Sequence, residues 1–181
     1  MTIHVGLLRA VNVAGRNKVG MAELRDLLTD MGMKDVRSLL QSGNLVFRSD
    51  VDQPAGLESM LEEATQRRLG LKTDFLVRTG NDWRELVTDN PLRVEAQRDP
   101  SHFVVMFLKA APDHSRVMAL QKEIKGREIV RSIGRQAYIT YPDGIGRSRL
   151  TTKLIEKVLG TRGTGRNWNT VLRIDTTARG L

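Results

Sequence analysis

Two helical stretches in this chain stop on the same pair, Leu69-Gly70 and Leu159-Gly160, each at a similar distance after a hairpin. A glycine just past the last apolar position readily takes the left-handed conformation that ends a helix. The two stops therefore mark equivalent points, and the pattern around them runs twice. Residues 3–11 are apolar on both faces apart from His4 and Arg9, which predicts a strand lying centrally in a sheet. Met21, Leu24, Leu28 and Met31 then recur at helical spacing and stop at Gly32. Residues 36–41 and 45–48 predict a hairpin, with Gly43 taking the positive φ of a two-residue type II′ turn. Pro54 opens a helix with Leu57, Met60, Leu61 and Ala64 on one face, and residues 72–79 are the next strand. The order β-α-β-β-α-β is the split-βαβ, ferredoxin-like arrangement.

The second half repeats it. Residues 103–109 predict a strand, and Asp113 caps a helix that turns Val117, Leu120 and Ile124 inward. Residues 127–133 and 136–141 flank a Gly134-Arg135 turn, and a helix from Ser148 carries Leu150, Leu154 and Val158. Beyond Gly160 the pattern loosens. Trp168, Val171, Leu172 and Asp175 predict a C-terminal helix from about Asn167, with a fourth strand over residues 171–174 as the alternative. The expected fold class is α+β, two ferredoxin-like repeats of βαββα type, the second with a C-terminal helix in place of or beside its closing strand. Residues 1–80 form the first half. Residues 81–100 are a connecting helix capped by Asn81 and a polar linker over residues 91–100. Residues 101–181 form the second half, with a basic C-terminal segment.

Several chemistries are excluded at once. With no cysteine, the chain makes no disulfide, no thiolate nucleophile and no cysteine-ligated zinc or iron–sulfur centre. The histidines His4, His102 and His114 have no ligand partner at helical or short-loop spacing, so no metal and no cofactor is expected. No stretch approaches the roughly 20 apolar residues that span a bilayer. A cytoplasmic protein with no membrane partner is the expectation.

Charge is uneven. Residues 1–80 carry 11 Lys/Arg against 10 Asp/Glu, and residues 81–181 carry 18 against 11, so nearly all of the net +8 lies in the second half. Such a segment attracts polyanions.

Two segments combine cations with backbone freedom. In residues 12–20, Arg9 ends the strand, Gly15 permits an unusual turn, and Arg16 and Lys18 precede a helix N-terminus, where backbone N–H groups favour an anion. Asn12 and Asn17 complete that set, or alternatively satisfy the loop's own backbone. The corresponding link in the second half is only residues 110–112. In residues 160–169, Gly163 and Gly165 loosen the backbone while Arg162 and Arg166 each offer a planar fork to phosphate beside Asn167. Trp168 is read as a cap on the core. Gln41, Ser42 and Asn44 make a lesser polar cluster, of which Asn44 is also what a turn requires. No nucleophile–base pair is recognisable. The reading is an anion-binding module for a phosphate-bearing ligand or nucleic acid backbone. The alternatives are a metal-independent phosphate-ester or acyl-phosphate hydrolase, using Arg9 or Arg16 with Asn44, and an interaction module.

Residues 8–25 (LRAVNVAGRNKVGMAELR), 41–47 (QSGNLVF) and 164–171 (TGRNWNTV) resemble, in order, the signature blocks of a bacterial family, the domain-of-unknown-function family numbered 1697. The resemblance implies a two-part α+β fold of ferredoxin-like repeats and no established activity. Ala10 and Ala14 stand where it leads one to expect glycine.

Overall fold

The computed structural model describes residues 1–12 and 17–181. It divides into two compact units, Met1–Glu85 with Arg173–Leu181, and Leu86–Leu172. In chain order the elements of the first are β1 (Thr2–Leu8), α1 (Met21–Asp30), β2 (Lys34–Leu39), β3 (Asn44–Ser49), α2 (Pro54–Leu69) and β4 (Phe75–Thr79), and α3 (Gly80–Thr88) begins in it and ends in the second. The second holds α4 (Arg93–Arg98), β5 (Phe103–Leu108), α5 (His114–Glu123), β6 (Ile129–Ile133), β7 (Gln136–Thr140), α6 (Thr152–Leu159) and β8 (Gly163–Asn167). The last helix, α7 (Trp168–Arg179), begins in the second unit and ends in the first.

Each unit contains one four-stranded antiparallel sheet, ordered β2-β3-β1-β4 and β6-β7-β5-β8. As its two-sided apolar pattern requires, β1 is an inner strand. Leu8, Leu45, Phe47, Phe75 and Val77 pack with Leu24, Leu28, Leu57 and Leu61 of α1 and α2. Met106, Leu108, Val130 and Ile139 pack with Leu120, Ile155 and Leu159 of α5 and α6.

The duplication extends to individual hydrogen bonds. The N–H of Leu8 donates to the Gly43 carbonyl at 2.9 Å, and that of Leu108 donates to the Arg135 carbonyl at 2.9 Å. Arg9 N–H reaches the Asp74 carbonyl at 3.0 Å, and Lys109 N–H reaches the Arg162 carbonyl at 2.9 Å. Each unit's closing strand runs without a loop into a helix capped from the strand's last residue. The Thr79 hydroxyl accepts from Asp82 N–H at 3.0 Å, and the Asn167 side chain accepts from Thr170 N–H at 2.9 Å. Gly70 (φ 63°) and Gly160 (φ 71°) both end their helices left-handed.

The units differ in one long link each. Between β1 and α1 the chain spends residues 9–20, against residues 109–113 between β5 and α5. Between β7 and α6 it spends residues 141–151, against residues 50–53 between β3 and α2.

Four expectations are corrected. The polar stretch 91–100 contains α4, so it is not an open linker. The cap of α3 is Thr79 rather than Asn81, because Thr79 and Asp82 exchange hydrogen bonds as a capping box. The first hairpin has a four-residue loop, since Leu39 pairs with Asn44. Gly43 does have positive φ (75°), but it is buried, and a Cβ there would lie 2.8 Å from both Leu8 Cβ and Val11 Cγ2. Finally, the closing strand of the second unit exists, but over Gly163–Asn167 rather than residues 171–174.

The outer N–H groups of β4 are held by α2. Phe75 N–H donates to Glu62 Oε1 at 2.8 Å and Val77 N–H to Glu58 Oε1 at 2.8 Å. Four residues of helix rise about 6 Å and two residues of strand about 6.8 Å, so successive carboxylates meet successive outward N–H groups. In the second unit Glu156 of α6 accepts from Gly163 N–H at 2.9 Å.

His4 on β1 is fully buried and stacked on Phe47, with ring centroids 5.8 Å apart. Among the described residues neither of its ring nitrogens has a hydrogen-bond partner. Burial holds its pKa below 6.5; the Val51 main chain and the Asp52 and Asp82 carboxylates oppose this without overcoming it. The unfolded chain therefore takes up a proton that the folded chain refuses. Stability should be intact above about pH 6.5 and fall on acidification towards the folded-state pKa, by at most about 1.4 kcal/mol per pH unit for one group. Urea unfolding at pH 7.5 and 5.5 should show a larger loss for the native chain than for His4→Gln. Equal losses would place the pH effect elsewhere.

Candidate functional site

The long β1–α1 link returns to its own strand end because two asparagines close it. The Asn12 amide donates to the Val19 carbonyl at 3.0 Å and the Gln41 carbonyl at 2.8 Å, and its oxygen accepts from Val19 N–H at 2.9 Å. Asn17 donates to the Ala10 carbonyl at 3.1 Å. The link thereby meets the tip of the first hairpin. Four residues here that are not glycine hold left-handed backbone: Ala10 (φ 53°), Asn12 (53°), Asn17 (48°) and Leu40 (58°). Asparagine tolerates this conformation; alanine and leucine adopt it at a cost of about 1–2 kcal/mol. Ala10 thus has the backbone that the expected glycine would adopt without strain. Leu40, which the sequence did not single out, is nearly half exposed beside Gln41.

Between link and hairpin lies a shallow depression of about 490 Å³, lined by Asn12, Lys18, Val19, Gly20, Glu23 and Gln41. Lys18 and Gln41 are exposed. The start of α1 is already occupied by a carboxylate, because Gly20 N–H donates to Glu23 Oε2 at 3.0 Å. Arg9 faces Asp74 at 3.8 Å. Gly15 and Arg16, like Ala14, lie outside the described residues. Ser42 is exposed, whereas Asn44 is fully buried and donates to the Leu39 carbonyl at 2.8 Å and the Ser42 hydroxyl at 3.0 Å. Its amide is committed to the hairpin and not turned to a ligand.

The second candidate segment has a different character from the one expected. Residues 163–167 are strand β8, and its glycines serve close packing. A Cβ at Gly163 would lie 2.5 Å from the Phe107 carbonyl oxygen, and one at Gly165 would lie 3.0 Å from Val104 Cγ1. Arg166 is buried, with Nη1 donating to the Thr164 hydroxyl and the Gly165 carbonyl, both at 2.8 Å. Burial pushes its pKa down to about 10. Arg162 is exposed, Asn167 is the cap of α7, and Trp168 meets Phe103 edge-on at 5.5 Å as a core cap. Arg162 and Arg166 therefore do not form one exposed pair. The structure brings together Arg9, Asn12, Asn17, Lys18, Gln41 and Ser42 at one end of the first unit, and leaves Arg162, Arg166 and Asn167 in the second.

The first two blocks of the sequence resemblance are the ones that converge here, through Asn12 and Gln41. A family model described as "Protein of unknown function (DUF1697)" matches residues 1–138. The chain belongs to this family. Its third block, residues 164–171, lies beyond the DUF1697 match. Among solved structures, the chain is similar to a conserved bacterial protein from Streptococcus pneumoniae, 26% identical over 98% of each chain with a TM-score of 0.77. No curated protein matches the chain. The two four-stranded sheets with their helices bear out the expected two-repeat α+β fold, and the DUF1697 assignment brings no activity with it. Among the described residues, no helix is long and apolar enough to cross a membrane.

Proposed function

We propose that the protein binds a phosphate-bearing ligand at the end of the first unit where the β1–α1 link meets the first hairpin. The observation that carries this reading is the concentration of left-handed non-glycine residues, Ala10, Asn12, Asn17 and Leu40, around one depression. Backbone strain of this kind persists where the surroundings over-determine it, and it clusters at ligand clamps. Lys18 supplies an exposed cation to the same depression, and Arg16 lies in the same link. Glu23 caps α1 with negative charge, which favours a ligand held by side chains over one seated on the helix terminus. A cytoplasmic setting belongs to this reading, since a chain without cysteine draws nothing from an oxidising compartment.

A second reading is favoured by the charge of the other unit, 15 Lys/Arg against 8 Asp/Glu over residues 86–172. A nucleic acid backbone would be held there through exposed side chains such as Lys157 and Arg162.

Titration of the full chain with a nucleoside triphosphate and with a single-stranded oligonucleotide, across a salt series, separates the two. For the compact site, Arg16→Ala with Lys18→Ala should weaken nucleotide binding about tenfold or more, with shallow salt dependence. For backbone binding, oligonucleotide affinity should fall steeply with salt, and Lys157→Ala with Arg162→Ala should flatten the slope. Absence of binding to either at low salt defeats both readings and favours an interaction protein.

A further inference from the structure

The β7–α6 link of residues 141–151 is an addition to the repeated plan, since β3 reaches α2 across residues 50–53 alone. It is firmly built. The Tyr141 hydroxyl donates to the Leu150 carbonyl at 3.0 Å, and Leu150 N–H donates to the Ser148 hydroxyl at 3.0 Å. Gly144 N–H closes a turn on the Tyr141 carbonyl at 2.9 Å, and a 3-10 turn follows over Ile145–Arg147. With the segment that follows α5, this link encloses a groove of about 370 Å³, within the size range of small-ligand sites.

The lining has two parts. Ile124, Leu150 and Leu154 supply an apolar wall, and Lys125, Arg147 and Arg149 bring three cations from two separate segments. The side chains of Lys125 and Arg149 make no hydrogen bond or ion pair among the described residues, and Arg147 acts electrostatically on Asp143. The acids of the groove are partly committed. Asp143 is paired to Arg127, which holds its carboxyl below the usual range, and Glu128 accepts from the Ser148 hydroxyl. Glu123 completes the lining.

We propose that this groove is a second binding site, independent of the one in the first unit, and that it takes a small organic phosphate monoester. The two guanidinium forks and the ammonium of Lys125 hold the phosphate oxygens, while the organic part rests on Ile124, Leu150 and Leu154. Two charge features set the size of the ligand. Three cations line one groove, which suits a dianionic phosphate. Glu123, Glu128 and Asp143 lie in the same groove, and their negative charge repels the successive phosphates of a nucleic acid strand.

Calorimetric titration of the full chain with phenyl phosphate and with inorganic phosphate tests this. Phenyl phosphate should bind, and more tightly than inorganic phosphate by about tenfold, the value of burying a small apolar body. Lys125→Ala with Arg149→Ala should weaken phenyl phosphate about tenfold or more, whereas Lys18→Ala in the first unit should leave it unchanged. The altered side chains are exposed, so melting temperatures should stay close to that of the native chain. Three results would overturn the proposal: no binding of phenyl phosphate, binding that survives Lys125→Ala with Arg149→Ala, or no preference over inorganic phosphate. Loss of nucleotide binding in the first unit with this pattern intact would defeat only the reading given above.

Discussion

Replacing Glu58 by alanine should destabilise the protein by about 3–5 kcal/mol, the cost of leaving a buried charge without its partner. Glu58 on α2 and Arg78 on β4 are each all but fully buried, with Oε1 and Nη1 3.9 Å apart. The same carboxylate oxygen accepts from Val77 N–H at 2.8 Å. Alanine would take the carboxylate from a buried guanidinium, which keeps its bond to the Val77 carbonyl at 2.8 Å, and the acceptor from a backbone donor. Glu58→Gln keeps an acceptor for Val77 but removes the charge, so its cost should fall between the native chain and the alanine variant. Urea unfolding monitored by circular dichroism measures all three. An alanine cost under about 1 kcal/mol would mean that Arg78 has adequate compensation elsewhere.

Gly163→Val should cost about 3 kcal/mol or more, at the upper end of what overpacking a core produces. The added Cβ would sit 2.5 Å from the Phe107 carbonyl oxygen, and 2.9 Å from Leu108 Cδ2. A carbonyl fixed in a sheet cannot swing aside, so β8 must separate from β5. Gly165→Val provides the contrast, because its Cβ would meet Val104 Cγ1 at 3.0 Å and a side chain can re-orient. Its cost should be about 1–2 kcal/mol. Equal costs at the two positions would show that the strand backbone yields more readily than the contact at Gly163 implies.

That contrast shows why part of the fold was legible in the sequence and part was not. Residues 3–8 (the strand stops at Leu8, short of the expected Val11), Pro54 to Leu69 and the Leu-Gly stops declare themselves because their own side chains fill the core or end a helix. β8 does not, because Gly-Thr-Gly-Arg-Asn has no apolar alternation; it is a strand because β5 offers it a partner at close range. The same glycines that suggest a loosened loop are the condition for tight packing. α4 is similarly hidden, since Ala96 is its single buried residue in a polar run.

The candidate sites divide in the same way. Cations near glycines can be read from composition, and Lys18 and Arg162 are indeed exposed. Whether a polar side chain is already committed depends on neighbours far along the chain. Asn12 is committed by Gln41, 29 residues away, and Arg9 pairs with Asp74. The groove of the second unit had no sequence signal, because Lys125 and Arg149 belong to links that only the folded chain brings together.

The carboxylates that α2 and α6 lay along β4 and β8 decide how these sheets end. An outer strand with vacant N–H groups is a template on which another chain can add itself, and then another. Here the incoming strand would have to displace Glu58 and Glu62 from Phe75 and Val77, or Glu156 from Gly163, before making its first bond. The side chains that hold helix to sheet also guard these edges against runaway assembly. A duplicated unit that doubles the number of sheet edges has more need of that guard than a single one.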